Sequence, residues 1–136
     1  MRAVVLLCLG LAAAGCGGGG SDAEYHAGAT TTCLEKQAGV HVIPTPGSQL
    51  GQFPGATDVL DVSWSLTHLT PPPQAILMFA RSAGDEPQME QSLDQLVHTA
   101  TGASVSRVLQ RSRNVAWAWI GKHRPADDAA LRRCLS

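Results

Sequence analysis

Asp58-Val59-Leu60-Asp61-Val62-Ser63-Trp64-Ser65-Leu66, followed after a triple proline by Gln74-Ala75-Ile76-Leu77-Met78-Phe79-Ala80, decides the fold class. Successive side chains of a strand point to opposite faces, so Leu60, Val62, Trp64 and Leu66 turn one way and Asp61, Ser63 and Ser65 the other. That is a half-buried strand with one face in a core and one face wet. The second stretch is apolar almost throughout, short, and bounded by turn signals such as Pro71-Pro72-Pro73. A run of that length and character reads as a central strand covered on both sides.

Working outward from this pair, Asp85-x-x-Gln88 with Glu86 and Pro87 opens a helix that Gly102 ends. Met89, Leu93, Leu96, Val97 and Ala100 form one stripe along it. Two strands are predicted over 105–110 and 114–120, joined by a turn at Arg111-Ser112-Arg113-Asn114, with Val115, Trp117 and Trp119 sharing a face of the second. Pro125 opens a last helix to about residue 135, with Asp127 and Asp128 at its positive end and Arg132 and Arg133 at its negative end. Toward the N-terminus, Thr32-x-x-Glu35 has the capping-box spacing and Gly39 is a helix terminator, which predicts a helix over 31–38. Val40-His41-Val42-Ile43 reads as a short strand stopped by Pro44, and 44–55 as loop. The order α-β-β-β-α-β-β-α predicts an α+β two-layer sandwich. A mostly antiparallel sheet of four to five strands carries its helices on one face, and the helix after the third strand permits one parallel crossover.

The chain has 136 residues, 44% of them hydrophobic but only 4% aromatic, so a core of Val, Leu, Ile and Ala is expected. The net charge of −1 conceals two unlike regions. Residues 16–102 carry Lys36 and Arg81 against nine acids, whereas 103–136 carry Arg107, Arg111, Arg113, Lys122, Arg124, Arg132 and Arg133 against Asp127 and Asp128. The first expectation is that the two regions attract one another in the fold; the second is that the basic set faces an anionic lipid or polymer. Nucleic acid is not expected as a partner.

The N-terminus carries the clearest functional signal. Met1-Arg2 precedes an apolar segment of about a dozen residues, too short to span a bilayer as a helix, which needs about 20. Ala13-Ala14-Gly15-Cys16 resembles the lipobox of bacterial lipoproteins, with Ala13 where that pattern usually has leucine. The resemblance implies that residues 1–15 are a signal peptide, that Cys16 becomes the acylated N-terminus, and that the protein sits on the outer face of the cell membrane. Ordinary secretion after Ala12-x-Ala14 is the alternative. Gly17-Gly18-Gly19-Gly20-Ser21-Asp22 then begins a tether over 16–29, leaving 30–136 as one domain.

Four cysteines are present. Cys8 lies in the signal peptide and Cys16 takes the lipid, so Cys33 and Cys134 remain, one at each end of the domain. Outside the cytoplasm two such thiols are expected to form a disulfide.

No catalytic constellation emerges. The histidines at 26, 41, 68, 98 and 123 lack metal-ligand spacing, and Gly47-Ser48-Gln49-Leu50-Gly51 is not a nucleophile elbow. Trp64, Trp117 and Trp119 at strand period are expected in the core rather than as a ligand platform. The Cys-Leu-Glu-Lys opening, the Arg-Asn turn before an apolar strand and the closing Ala-Leu-Arg-Arg-Cys-Leu helix resemble small extracytoplasmic proteins of actinobacteria. That resemblance implies the cysteine pair and the envelope address, and supplies no catalytic residue. The functional expectation is therefore a membrane-anchored lipoprotein without cofactor, catalytic residue or metal, acting as a binding or interaction domain toward an envelope protein or anionic polymer. The alternatives are a small enzyme or enzyme accessory acting on wall or lipid substrates, or a purely structural lipoprotein.

Overall fold

The central apolar run is a strand, and everything else is arranged against it. The computed structural model describes residues 24–102 and 109–135. Its elements are α1 (Ala27–Glu35), β1 (Val40–Pro44), a 3₁₀ segment (Gly47–Gln52), β2 (Ala56–Trp64), β3 (Gln74–Ala80), α2 (Glu86–Thr101), β4 (Gln110–Ser112), β5 (Val115–Ile120) and α3 (Pro125–Cys134). The expected signal peptide over 1–15, Cys16, the first residues of the expected tether, Arg107 and most of the strand expected over 105–110 lie outside the described residues.

The five strands form one sheet in the order β1-β2-β3-β5-β4, antiparallel at every pairing. The α+β class and the antiparallel sheet follow the sequence reading. Because β5 inserts between β3 and β4, those two strands run the same way without touching, so the expected crossover produces no parallel pair.

The layering corrects the two-layer expectation. Leu60, Val62 and Trp64 of β2, Ala75, Leu77 and Phe79 of β3, and Val115, Trp117 and Trp119 of β5 pack under Leu34 of α1 and Leu131 and Cys134 of α3. On the opposite face Val59, Ile76, Met78, Ala80, Ala116 and Ala118 pack under Met89, Leu93 and Val97 of α2. The helices therefore cover both faces. A strand that is apolar at every position leaves one row in water unless a second cover is supplied. The alternation of β5 selects the fit: its indoles face the thin α1–α3 layer, and its alanines let α2 approach closely.

The loop before β2 holds α2 in place. Leu50 and Phe53 pack on its apolar stripe, and the Ser92 hydroxyl donates to the Pro54 carbonyl at 2.8 Å. Gly55 adopts φ +85° where the chain crosses the first turn of α2. A Cβ there would stand 2.5 Å from the Met89 nitrogen and 2.7 Å from the Asp85 oxygen, so only glycine fits.

Several boundaries differ from the sequence reading. α1 begins at Ala27, and Thr32 lies inside it, donating to the Gly28 carbonyl at 2.9 Å rather than capping. The expected tether to residue 29 is thus shortened. Leu66 falls beyond β2 and is 68% exposed instead of continuing the buried row. The β4–β5 connection tightens to Arg113-Asn114, with Ser112 opposite Val115 and Arg113 at φ +51°.

The outer edge of β1 offers little to pair with. Trp64 N–H bonds to the Pro73 carbonyl and Ser65 N–H to the Gly39 carbonyl, so His41 and Ile43 direct their backbone at β2 while Val40, Val42 and Pro44 face outward. Gln37 O takes the Val40 N–H, and proline has none, which leaves Val42 as the one outward donor of this strand. This is how a short edge resists strand addition.

Candidate functional site

The polar groups expected to carry chemistry sort into three places: the start of α3, the β4–β5 turn, and the part of the sheet that α2 does not cover.

At the start of α3, Asp127 accepts from the Arg124 backbone N–H at 2.9 Å and from its guanidinium at 2.6 Å, closing the first turn. Asp128 accepts from Trp119 Nε1 at 3.1 Å and from Arg132 Nε at 2.6 Å. Burial pushes both carboxyls up, but the hydrogen bonds and charge of Arg124 on Asp127, and of Arg132 on Asp128 with the Trp119 indole, outweigh it and hold both below the ordinary carboxylate range. Trp117 Nε1–H makes no hydrogen bond of ordinary geometry, yet Asp128 lies close enough for that indole to contribute to its lowering. Carboxylates lowered and partnered in this way are built to stay ionised, not to exchange protons near neutrality.

The sign of the linkage follows. A carboxylate lowered in the folded state stabilises it above the unfolded value of about 3.9, and that stabilisation is lost as pH falls through the lowered values. Stability is therefore expected to fall as pH drops from about 4 toward 2, and Asp128→Asn to flatten that acid limb. Denaturant unfolding at pH 7, 4 and 3 checks it; an unchanged acid limb in the variant removes Asp128 from the account.

The three tryptophans are core, as expected: Trp64, Trp117 and Trp119 are 4%, 0% and 6% exposed. Trp64 and Trp119 meet at 4.8 Å, and His123 stacks on Trp119 at 4.2 Å. Among the described residues, arginines of the basic region go to separate partners. Arg111 pairs with Glu86 at 3.5 Å and Glu90 at 2.9 Å on α2, Arg113 lies over the Tyr25 ring at 4.9 Å, and Arg124 is held by Asp127. The Arg111 pairs join the basic region to the acidic one, in line with the first charge expectation. His41 meets the Ser65 hydroxyl at 3.2 Å, and His26 is the N-cap residue of α1. Among the described residues no His/Cys/Asp/Glu group has metal-binding geometry.

The cysteine pair is realised. The sulfurs of Cys33 and Cys134 are 2.00 Å apart and their Cα atoms 5.5 Å, joining α1 to α3, and Gln37 Nε2 donates to the Cys134 sulfur at 3.3 Å.

The β4–β5 turn holds a constellation that sequence reasoning missed. The Asn114 side chain accepts from the Tyr25 backbone N–H at 2.8 Å and donates to the Tyr25 carbonyl and to the Ala80 carbonyl, each at 3.1 Å. Its own carbonyl accepts from Ala80 N–H at 2.7 Å, and Tyr25 Oη meets the Ser112 hydroxyl at 3.2 Å. Asn114 is 6% exposed and is the chain's single asparagine. Its uniqueness was the available signal, but a turn asparagine ordinarily bonds its own backbone, which hides a partner 89 residues away.

Shallow cavities lie on the surface of the described residues. One of about 250 Å³ is lined by Glu24, Ala83, Glu86, Arg113 and Asn114. A second of about 250 Å³ is lined by Phe53, Ser92, Gln95, Leu96 and others, and one of about 110 Å³ by Gly55, Arg81 and Asp85 among others. The lowered pair Asp127 and Asp128 lines none of these cavities.

On the α2 side of the sheet, the helix sits over β3 and β5 and leaves the β1–β2 half open. That half presents His41, Ile43, Asp61 and Ser63, bordered by Gln74 at the start of β3, whose Nε2 donates to both Asp61 oxygens at 2.8 Å. Ile43 is 66% exposed there, one of two large exposed apolar side chains among the described residues, with Leu66. Among the described residues no helix is long and apolar enough to cross a membrane. No family model, curated protein or solved structure matches the chain.

Proposed function

We propose that this chain is a non-enzymatic binding module of the bacterial envelope, held on the extracytoplasmic membrane face by lipid on Cys16, that docks a protein on the open β1–β2 half of its sheet. The observation that carries the binding part is Ile43, a branched apolar side chain 66% exposed on the edge strand β1, opposite Asp61, whose carboxylate is already hydrogen-bonded to Gln74. A face of that chemistry, without a lysine or arginine, suits a protein surface better than an anionic polymer. The address rests on Ala13-Ala14-Gly15-Cys16 and is supported by the Cys33–Cys134 bridge, since disulfides persist in oxidising compartments.

Two acyl chains hold a protein stably where one does not, so the anchor has a simple test. Cys16→Ser is expected to move the protein from the membrane to the soluble fraction and to abolish acyl labelling; a variant that stays membrane-bound overturns the anchor. For the face, a photo-cross-linking residue at position 43 is expected to give a discrete protein adduct on intact cells that the same residue at position 32 on α1 does not. Equal yields at both positions overturn it.

A further inference from the structure

The stretch from Tyr25 to Cys33 has little apolar hold of its own. Thr30 is the residue buried outright in it, while Tyr25, Ala27 and Cys33 rest part-buried against the larger core cluster. A helix held so lightly frays first, because local opening starts where few apolar contacts are buried. Two fastenings bracket it. At its start, Asn114 accepts from the Tyr25 backbone N–H at 2.8 Å and donates to the Tyr25 carbonyl at 3.1 Å, and its bonds to Ala80 fix it to the end of β3. The Arg113 guanidinium over the Tyr25 ring and the Tyr25–Ser112 contact close the same joint. At the far end the Cys33–Cys134 bridge joins α1 to α3, and Gln37 Nε2 donates to the Ala130 carbonyl at 3.4 Å and to the Cys134 sulfur at 3.3 Å.

We infer that the Asn114–Tyr25 clasp and the Cys33–Cys134 bridge form a two-stage stop that keeps opening of α1 from spreading into β1. β1 starts at Val40, seven residues beyond Cys33, and lies at the sheet edge with β2 as its one neighbour. An edge strand continuous with a frayed helix is the next piece to peel. Once the clasp lets go, residues 25–32 are free to unwind, but Cys33 is bonded covalently to α3 and the opening ends there. The turn behind it is held again, Gln37 by α3 as above and the Gly39 carbonyl by the Ser65 N–H at 2.7 Å and its hydroxyl at 3.0 Å. The clasp therefore sets how often α1 opens, and the bridge sets how far. The consequence for function rests on the docking face proposed above. β1 carries Ile43, and the stop keeps that side chain in register with β2 while the chain ahead of it opens.

Site-resolved amide hydrogen exchange of the oxidised protein tests both stages, with Leu77 on the central strand β3 as the reporter of global unfolding. Asn114→Ala is expected to speed exchange of the Tyr25 and Thr30 amides at least about tenfold, while Ile43 keeps its rate relative to Leu77 because the bridge still stops the opening. Replacing Cys33 and Cys134 together by serine is expected to speed Ile43 at least about tenfold more than Leu77, since opening then runs through α1 into β1. An unchanged Tyr25 amide in Asn114→Ala overturns the clasp. Acceleration of Ile43 relative to Leu77 with the bridge intact, or equal acceleration of the two in the serine variant, overturns the stop. Tyr25→Ala, which leaves Asn114 bonded to Ala80, stands in if Asn114→Ala does not fold, with Thr30 as its reporter. Sulfate added to every sample alike keeps the serine variant folded where its stability is too low, by strengthening burial. The exchange pattern needs neither acylation nor a partner, so its failure leaves the docking face to be decided by cross-linking at position 43.

Discussion

Replacing Cys33 and Cys134 together by serine lowers the unfolding free energy by about 2–5 kcal/mol. The bridge closes a loop with a sequence separation of 101, for which the chain-entropy account gives up to about 4.7 kcal/mol. A domain of this size has roughly 5–15 kcal/mol in all, so the loss is a large share. The structure adds a packing reason. α1 is nine residues long and presents Leu34 as its buried apolar anchor, so an unbridged α1 would be held on the sheet by little more than that side chain and its neighbours. Guanidinium unfolding should show the oxidised protein well above the double variant, with reductant bringing the native sequence down to it. A loss below about 1 kcal/mol, or indifference to reductant, rejects this role. Non-reducing mass spectrometry of exported protein should find no free thiol at either position.

Trp117→Ala is expected to cost about 3–5 kcal/mol, while Trp117→Phe costs under about 1.5 kcal/mol. Trp117 is fully buried at the middle of the larger core cluster, opposite Leu77 on β3 and beneath the Arg132 guanidinium at 5.0 Å. Truncation leaves a cavity that the sheet cannot collapse to fill, because its neighbours are fixed by register on β3 and β4. Phenylalanine keeps most of the ring and removes an indole N–H that makes no well-formed hydrogen bond, so its lost volume is partly offset. Equal costs for the two substitutions would mean that the indole nitrogen, through Asp128, matters more to the core than ring volume does. Thermal or denaturant unfolding of both variants separates the cases.

The elements of this fold were legible where one period dominated. Gln74–Ala80 and Met89–Val97 carry their own signature, and their observed bounds depart little from the pattern. Legibility failed where a local signal competed with packing. Thr32-x-x-Glu35 has capping spacing, but the Tyr25 joint starts α1 a turn earlier and Thr32 ends up within it. Leu66 continues the alternation of β2 on paper, but the strand ends at Trp64, whose N–H is taken by Pro73. The candidate site fared similarly: the wet row Asp61 and Ser63 was readable from alternation, whereas the exposure of Ile43 was not, because nothing in its neighbourhood shows how far α2 reaches.

The sequence by itself determined the inward rows of β2 up to Trp64 and of β5, that β3 is buried on both sides, and which two cysteines of the domain pair. These are local or arithmetical properties, set by the period of the backbone and by the count of thiols. Only the tertiary structure decided that α2 crosses to the opposite face from α1 and α3, that the arginines disperse to separate partners, and that Asn114 fastens Tyr25 to the end of the sheet. Those outcomes depend on which strands become neighbours, and strand order is a choice among long-range contacts whose free energies no single stretch of chain encodes.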